Sequence, residues 1–451
     1  MNIVIVGGGL VGSTLAHKLS DDGHDVTLVE SDPHVVRDLS ETLDVQIVGG
    51  NGTTAATLRN AGIENAALLV ATTDSDEANM VAGLVAGSLF EVPRIVVRLR
   101  DQDQVEGFAA VSKEHDVDYS FVNPIEAAVD RIVALLEVPG ALDVASFLDG
   151  QLLVAGFRIG EGSDFAGLLV SHVQLLFAGT PTLVAAIHRG SDWIIPSGVD
   201  EIRAGDLVYF AIAREDLEGV LTLVGTLQEE RRHIMVAGAD RIGLALARRL
   251  ENHDAKVIVI EADGDVARHA ADQLEHPVVV HGAVTDGALL EEEEIERVAT
   301  FVSLTPNHET NLVAGLLAKR LGAGRAFALV DHPALADLIG EVGIDAVISP
   351  RLLAIGLILR HIHGGSVHSV APLLEDRVEL LEAEAVEGSR LVAAPVAEVG
   401  LPRGVLVVAV RRGAQILVPR GDDRVEIGDR VLLITAVENA AKLAEFIEGP
   451  G

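Results

Sequence analysis

One pattern occurs twice, 231 residues apart, and this repeat restricts the fold more than any other feature of the chain. Its first copy is Ile3-Val4-Ile5-Val6-Gly7-Gly8-Gly9-Leu10-Val11-Gly12, followed by Val26-Thr27-Leu28-Val29-Glu30. Its second is Ile234-Met235-Val236-Ala237-Gly238-Ala239-Asp240-Arg241-Ile242-Gly243, followed by Lys256-Val257-Ile258-Val259-Ile260-Glu261. Each reads as an apolar strand, a glycine turn opening a helix, and a second strand that closes on an acid about 20 residues on. Asp240 stands where the first copy has its middle glycine, Gly9.

The register of the repeat continues along the chain. Gly50 and Thr53 are matched by Gly282 and Thr285, Thr73 and Asn79 by Thr305 and Asn311. After each strand–helix alternation comes a proline-headed helix, at Pro124 and at Pro350, and then a stretch of short strands and turns. Those stretches also match, Arg189-Gly190 with Arg412-Gly413 and Gly205-Asp206 with Gly428-Asp429. The fold class expected is α/β: duplicated Rossmann-like, doubly wound parallel-sheet domains, each followed by a small α+β domain. The expected bounds are 1–125 for the first Rossmann-like domain, 126–140 for a crossover helix and 141–228 for the first small domain. They are 229–350, 351–365 and 366–451 for the second set.

The first glycine turn carries a specific chemistry. Gly7 permits the tight turn, Gly9 lets a pyrophosphate approach the backbone, and Gly12 lets the helix pack closely. Phosphates would sit at the helix start beside Leu10 and Val11, where free N–H groups and the helix dipole favour negative charge. Glu30 is placed to accept hydrogen bonds from ribose hydroxyls and disfavours a 2′-phosphate, so NAD or NADH is expected over NADP(H). Further contacts are expected at other strand ends, from Asn51, Thr53, Thr72, Thr73, Asp74 and Arg98. Asp74, Asp76 and Glu77 read equally as acids at a helix start, and of Arg98 and Arg100 one is expected to reach phosphate while the other is solvated. In the second copy Gly238, Gly243 and Glu261 are kept. Asp240 crowds the close-approach position with a like charge, which Arg241 could offset. An empty structural copy, altered nucleotide binding and binding equal to the first site all remain open.

Composition excludes several classes. With 34 basic against 68 acidic residues the net charge is −34, spread along the chain, so nucleic-acid binding is not expected. This acidity fits either an ordinary acidic protein or one adapted to a high-salt cytosol. There are no cysteines, hence no disulfides or thiolate sites. Met1-Asn2 leads directly into a strand, so a signal peptide is not expected. The histidines are scattered and no hydrolase, zinc or P-loop signature occurs, so catalysis is not expected. Arg360 and His361 suit the dipole at a helix C-terminus. Arg158, His172, His188, Arg189 and Asp192 in the first small domain suit a ligand cavity, a dimer interface or plain surface.

On these runs, together with "GIENAALLVATTDSDEANMVA", "EVPGALDVASFLDG" and "ISPRLLAIGLILRHI", the whole chain resembles the TrkA family. These are peripheral cytosolic subunits of Trk potassium-uptake systems, built from tandem potassium-conductance-regulating (RCK) domains. The resemblance implies a non-enzymatic regulator on the inner face of the membrane that binds NAD(H) and, in related members, ATP or ADP. It implies a Trk-type potassium-translocating membrane partner and a homo-oligomer, a dimer of dimers. It places dinucleotide contacts at Gly7, Gly9, Gly12, Glu30, Asp74 and Arg98. It also makes the helices after Pro124 and Pro350 crossover segments that pair Rossmann-like domains across a dimer, while their apolar faces, including Ile125, Val129, Ile132 and Leu136, suit either that role or intradomain packing. A soluble NAD-dependent oxidoreductase and a nucleotide sensor for a different transporter are the alternatives.

Overall fold

The structure is a computed structural model. It describes all residues except 113–116, 178–179, 191, 225–232, 254, 332–342, 363–366, 374–377, 403, 437–442, 444–445 and 448–451. The last residues of the expected second crossover helix, and parts of the second small domain, therefore lie outside the described residues.

Two six-stranded parallel sheets share one strand order, 3-2-1-4-5-6 counted along the chain in each. The first uses Asn2–Val6, Asp25–Glu30, Gln46–Gly49, Leu68–Ala71, Arg94–Arg98 and Asp118–Val122. The second uses His233–Ala237, Lys256–Glu261, Val278–His281, Val298–Ser303, Arg325–Leu329 and Ala346–Ile348. Their central strands are continuous Val/Ile/Leu/Ala runs because helices cover both faces. The order reverses between the first and fourth strands, which opens a crevice at their carboxyl ends, where the glycine turns lie.

Two five-stranded antiparallel sheets follow the same plan as each other. The first comprises Ala141–Phe147, Leu152–Arg158, Thr182–Arg189, Asp192–Ile194 and Leu207–Ala213. The second comprises Val367–Leu373, Val378–Glu384, Val405–Arg412, Gln415–Leu417 and Arg430–Ala436. They share one core, in which Leu152, Val154, Leu207 and Tyr209 lie with Val378, Leu380, Leu432 and Ile434. Each small module closes its last turn with a bidentate pair. Arg189 grips Asp206 at 2.8 and 2.7 Å, and Arg412 grips Asp429 at 3.0 and 2.7 Å.

Contacts divide the chain into two units, residues 1–128 with 349–363 and residues 129–348 with 364–451. In the first unit the helix Pro350–Ile362, which follows the second parallel sheet in sequence, packs on the first sheet. Its Ala354, Ile355, Ile358 and Ile362 join Ile3, Ile5, Leu15, Leu28 and Val96 in one core. Arg94 Nη1 donates to the Ile362 carbonyl at 3.4 Å. In the second unit the helix Pro124–Glu137 meets the second Rossmann-like domain: Arg325, on its sheet, donates Nη1 to the Leu135 carbonyl at 3.0 Å, and Arg249, on the helix Arg241–Leu250, pairs with Asp130 at 2.8 Å. Each linking helix is thus traded between the two copies within one chain. An apolar stripe does not specify its partner, which is why the sequence left dimer pairing and intradomain packing as the choices.

Arg360 and His361 lie in the last turn of the helix Pro350–Ile362, as expected. Burial pulls both pKa values down, and the Arg360 charge lowers that of His361 further, against a smaller opposing pull from Asp118. Of the small-module residues, His188 lies on a strand and stacks on Trp193 with ring centroids 4.8 Å apart. Arg158 donates to the Gly205 carbonyl at 3.0 Å, beside the Asp206 that holds Arg189. No helix among the described residues is long and apolar enough to cross a membrane.

Candidate nucleotide site

The first glycine turn is built as its residue types require. Gly7 takes φ +108°, and a Cβ there would stand 2.8 Å from the Thr73 nitrogen. Gly12 sits over the turn, where a Cβ would meet the Gly7 carbonyl oxygen at 1.9 Å. Gly9 differs from both: it has φ −67°, caps the helix Leu10–Asp21, and no atom lies within 4 Å of a Cβ built on it. Nothing in the fold needs a glycine at this position, whereas a ligand lying on the helix start does. Val11 points into the core and presents no side chain to the crevice.

Glu30 closes the same turn. Its Oε2 accepts the Gly8 N–H at 2.7 Å, and its Oε1 accepts the N–H groups of Ser31 and Asp32 at 2.6 and 2.8 Å. A carboxylate oxygen has two lone pairs, so Oε2 keeps capacity for a ribose hydroxyl.

The remaining residues line up along the strand ends. Asn51 Oδ1 accepts from both the Thr53 N–H and hydroxyl, at 2.9 and 2.8 Å, fixing the turn after Gln46–Gly49. Thr72 is buried, its N–H bonded to the Val6 carbonyl at 2.8 Å. Thr73 donates its N–H and hydroxyl to Asn79 Oδ1 at 2.8 and 2.6 Å, and Asn79 Nδ2 donates on to the carbonyls of Thr73 and Arg98. Asn79, read from the sequence only as a repeat match, therefore pins two strand ends together.

Ser75 caps the helix Asp76–Phe90, with Asp76 and Glu77 in its first turn, so these acids have the helix-start role. Backbone hydrogen bonding, then the Ser75 hydroxyl, lowers the Glu77 pKa. Asp76 is buried and accepts the Arg100 N–H at 2.9 Å and its Nε at 3.2 Å, so Arg100 is held in the structure. Arg98 has its side chain 15% exposed and lies 3.7 Å from Asp74, itself 94% exposed. The structure thus brings Gly9, Glu30, Asp74 and Arg98 to the carboxyl end of one sheet.

The second copy repeats the framework. Gly238 has φ +104° and Gly243 packs over its carbonyl. Glu261 accepts the N–H groups of Ala239 and Asp263 at 2.7 and 2.8 Å. Asp240 caps the helix Arg241–Leu250 by backbone position, without a side-chain cap bond, and both Asp240 and Arg241 are exposed.

A doubly wound parallel sheet with a glycine turn, followed by a small antiparallel module and then repeated, defines the class of tandem Rossmann-type two-domain proteins. Solved structures share this arrangement. The GsuK RCK domain aligns at TM-score 0.62 and 21% identity, over 99% of this chain and 95% of that one. The GsuK channel bound to NAD aligns at TM-score 0.63 and 21% identity, over 99% of this chain and 79% of that one. At these identities the likeness is one of fold. Sequence goes further: the TrkA-N domain model matches residues 3–118 and 234–350, and the TrkA-C domain model matches 154–225 and 380–448. The chain belongs to the TrkA family. It is 34% identical to the Trk system potassium uptake protein TrkA of Halomonas elongata over 96% of this chain and 95% of that protein. It is 33% identical to that of Azorhizobium caulinodans, over 99% and 98%.

Proposed function

We propose that this chain is a cytosolic regulatory subunit, peripheral on the inner face of the cell membrane, that binds NAD(H) and also ATP or ADP and gates a Trk-type potassium-translocating membrane protein. The observation that carries the reading is Gly9: an open helix start on the turn that Glu30 braces, in a chain whose relatives are potassium-uptake proteins. Gly7 and Gly12 shape the turn, Gly9 admits the pyrophosphate to the helix N-terminus, and Glu30 Oε2 takes a ribose hydroxyl. Arg98, with Asp74 beside it, supplies a cation at the strand ends. Asn51, Thr53, Thr72 and Thr73 shape the crevice rim. The reading assigns no catalytic residue.

Gating then follows from linkage. A nucleotide that binds one arrangement of the Rossmann-type pair more tightly shifts the population toward it, and with it any attached channel. An exposed apolar helix face supports self-association. The helix Asp76–Phe90 carries no charged side chain from Ala78 onward and exposes Val81 and Leu89, at 43% and 58%, in a chain of net charge −34. A face of this kind suits another copy of the chain, as in a dimer of dimers. The test is potassium flux into vesicles carrying the Trk membrane subunit, with and without this chain and each nucleotide. Flux that depends on the chain and changes with nucleotide is expected; flux indifferent to the chain contradicts the proposal.

A further inference from the structure

The two Rossmann-type copies correspond residue for residue through shared hydrogen bonds. Gly7 N–H to the Val29 carbonyl (2.9 Å) matches Gly238 N–H to that of Ile260 (2.8 Å), and Thr73–Asn79 matches Thr305–Asn311. Asn79 Nδ2 reaches the Arg98 carbonyl at 2.9 Å, where Asn311 Nδ2 reaches that of Leu329 at 3.0 Å. The correspondence separates what the fold uses from what a ligand would use.

What the second copy keeps is used by its own fold. A Cβ on Gly238 would meet the Leu304 carbonyl carbon at 3.0 Å, and one on Gly243 the Gly238 oxygen at 2.0 Å. Glu261 accepts two backbone N–H groups, and Thr305 is tied to Asn311. The groups it has lost are those facing the crevice. Gly9, with open space around it, becomes Asp240; exposed Asp74 becomes Pro306; Arg98 becomes the buried Leu329. At the Arg98 position the bond to the asparagine present in both copies goes to the carbonyl, which leucine supplies equally.

We infer that the second copy is a framework released from dinucleotide binding, so that each chain holds one dinucleotide, at the first pocket; this rests on the nucleotide reading proposed above. Asp240 puts a Cβ and a carboxylate at the point of closest approach to a pyrophosphate, and Leu329 removes the cation that would face it. Arg241, one position on, restores formal charge at the turn but leaves the crowding in place.

The test is equilibrium dialysis of NADH against the full chain and against Gly9→Asp, which writes the second copy's residue into the first. Aspartate is a favoured helix N-cap, so the variant keeps the wild-type fold, checked by its thermal midpoint. One NADH per wild-type chain and none per Gly9→Asp chain is expected. Two per wild-type chain, or one retained by the variant, overturns the inference. No binding by the wild type overturns the nucleotide reading of the first pocket itself, and this inference with it.

Discussion

The Glu30 carboxylate accepts the Gly8 N–H at 2.7 Å, and this bond is reproduced by Glu261 and Ala239 at 2.7 Å. The acid that marks a ribose contact in the sequence is therefore also a brace for the glycine turn. Replacing Glu261 with alanine strands the N–H of buried Ala239, at a cost of about 1–3 kcal/mol, and leaves that of exposed Asp263 to water. Glu30→Ala is expected to lower the thermal midpoint similarly and to weaken NADH binding as well. Glu261→Ala should lower the midpoint alone; paired thermal melts and NADH titrations check this.

The Arg189–Asp206 clamp predicts acid sensitivity. Burial raises the Asp206 pKa, but the hydrogen bonds from Arg189 and the Arg203 N–H outweigh it and the net shift is downward. A carboxyl with a depressed folded pKa contributes stability that is present above its unfolded value, about 3.9, and is lost as pH falls through the folded value. Urea unfolding across pH 7 to 3 should show stability declining below about pH 4. Asp206→Ala should cost about 3–5 kcal/mol at neutral pH by leaving a partly buried guanidinium without its partner, and should flatten that decline.

Net charge −34 predicts a salt response. The Debye length shrinks from about 10 Å at 0.1 M to about 3 Å at 1 M, so self-repulsion is progressively screened. The thermal midpoint should rise between 0.1 and 1 M KCl by several degrees. A midpoint that falls would show that the surface ion pairs, which salt weakens, outweigh the repulsion.

Much of this architecture was legible in the sequence because parallel strands buried on both faces announce themselves as apolar runs, and prolines 124 and 350 open the linking helices Pro124–Glu137 and Pro350–Ile362. What sequence could not say is where an apolar helix face goes. Ile355 and Ile358 pack against the first sheet, although 220 residues or more separate them from it in sequence. Side chains with two uses also have partners that the sequence does not show. Thr73 reads as a ligand contact, yet Asn79 holds its hydroxyl. Arg100 reads as an alternative to Arg98, yet buried Asp76 holds it. His361 reads as a residue suited to a helix C-terminus; it lies there, and burial against other elements lowers its pKa. In each case the deciding partner lies on another element.

The central claim is that Gly9 is glycine for a ligand and Gly12 for the fold. Gly12→Ala should cost several kcal/mol, because its Cβ would meet the Gly7 oxygen at 1.9 Å. Gly9→Ala costs at most about 1 kcal/mol as a poorer N-cap. The most direct measurement is calorimetric titration of NADH into the folded Gly9→Ala chain. The account predicts affinity reduced about tenfold or more, equivalent to about 1.4 kcal/mol. Wild-type affinity in that variant would contradict it.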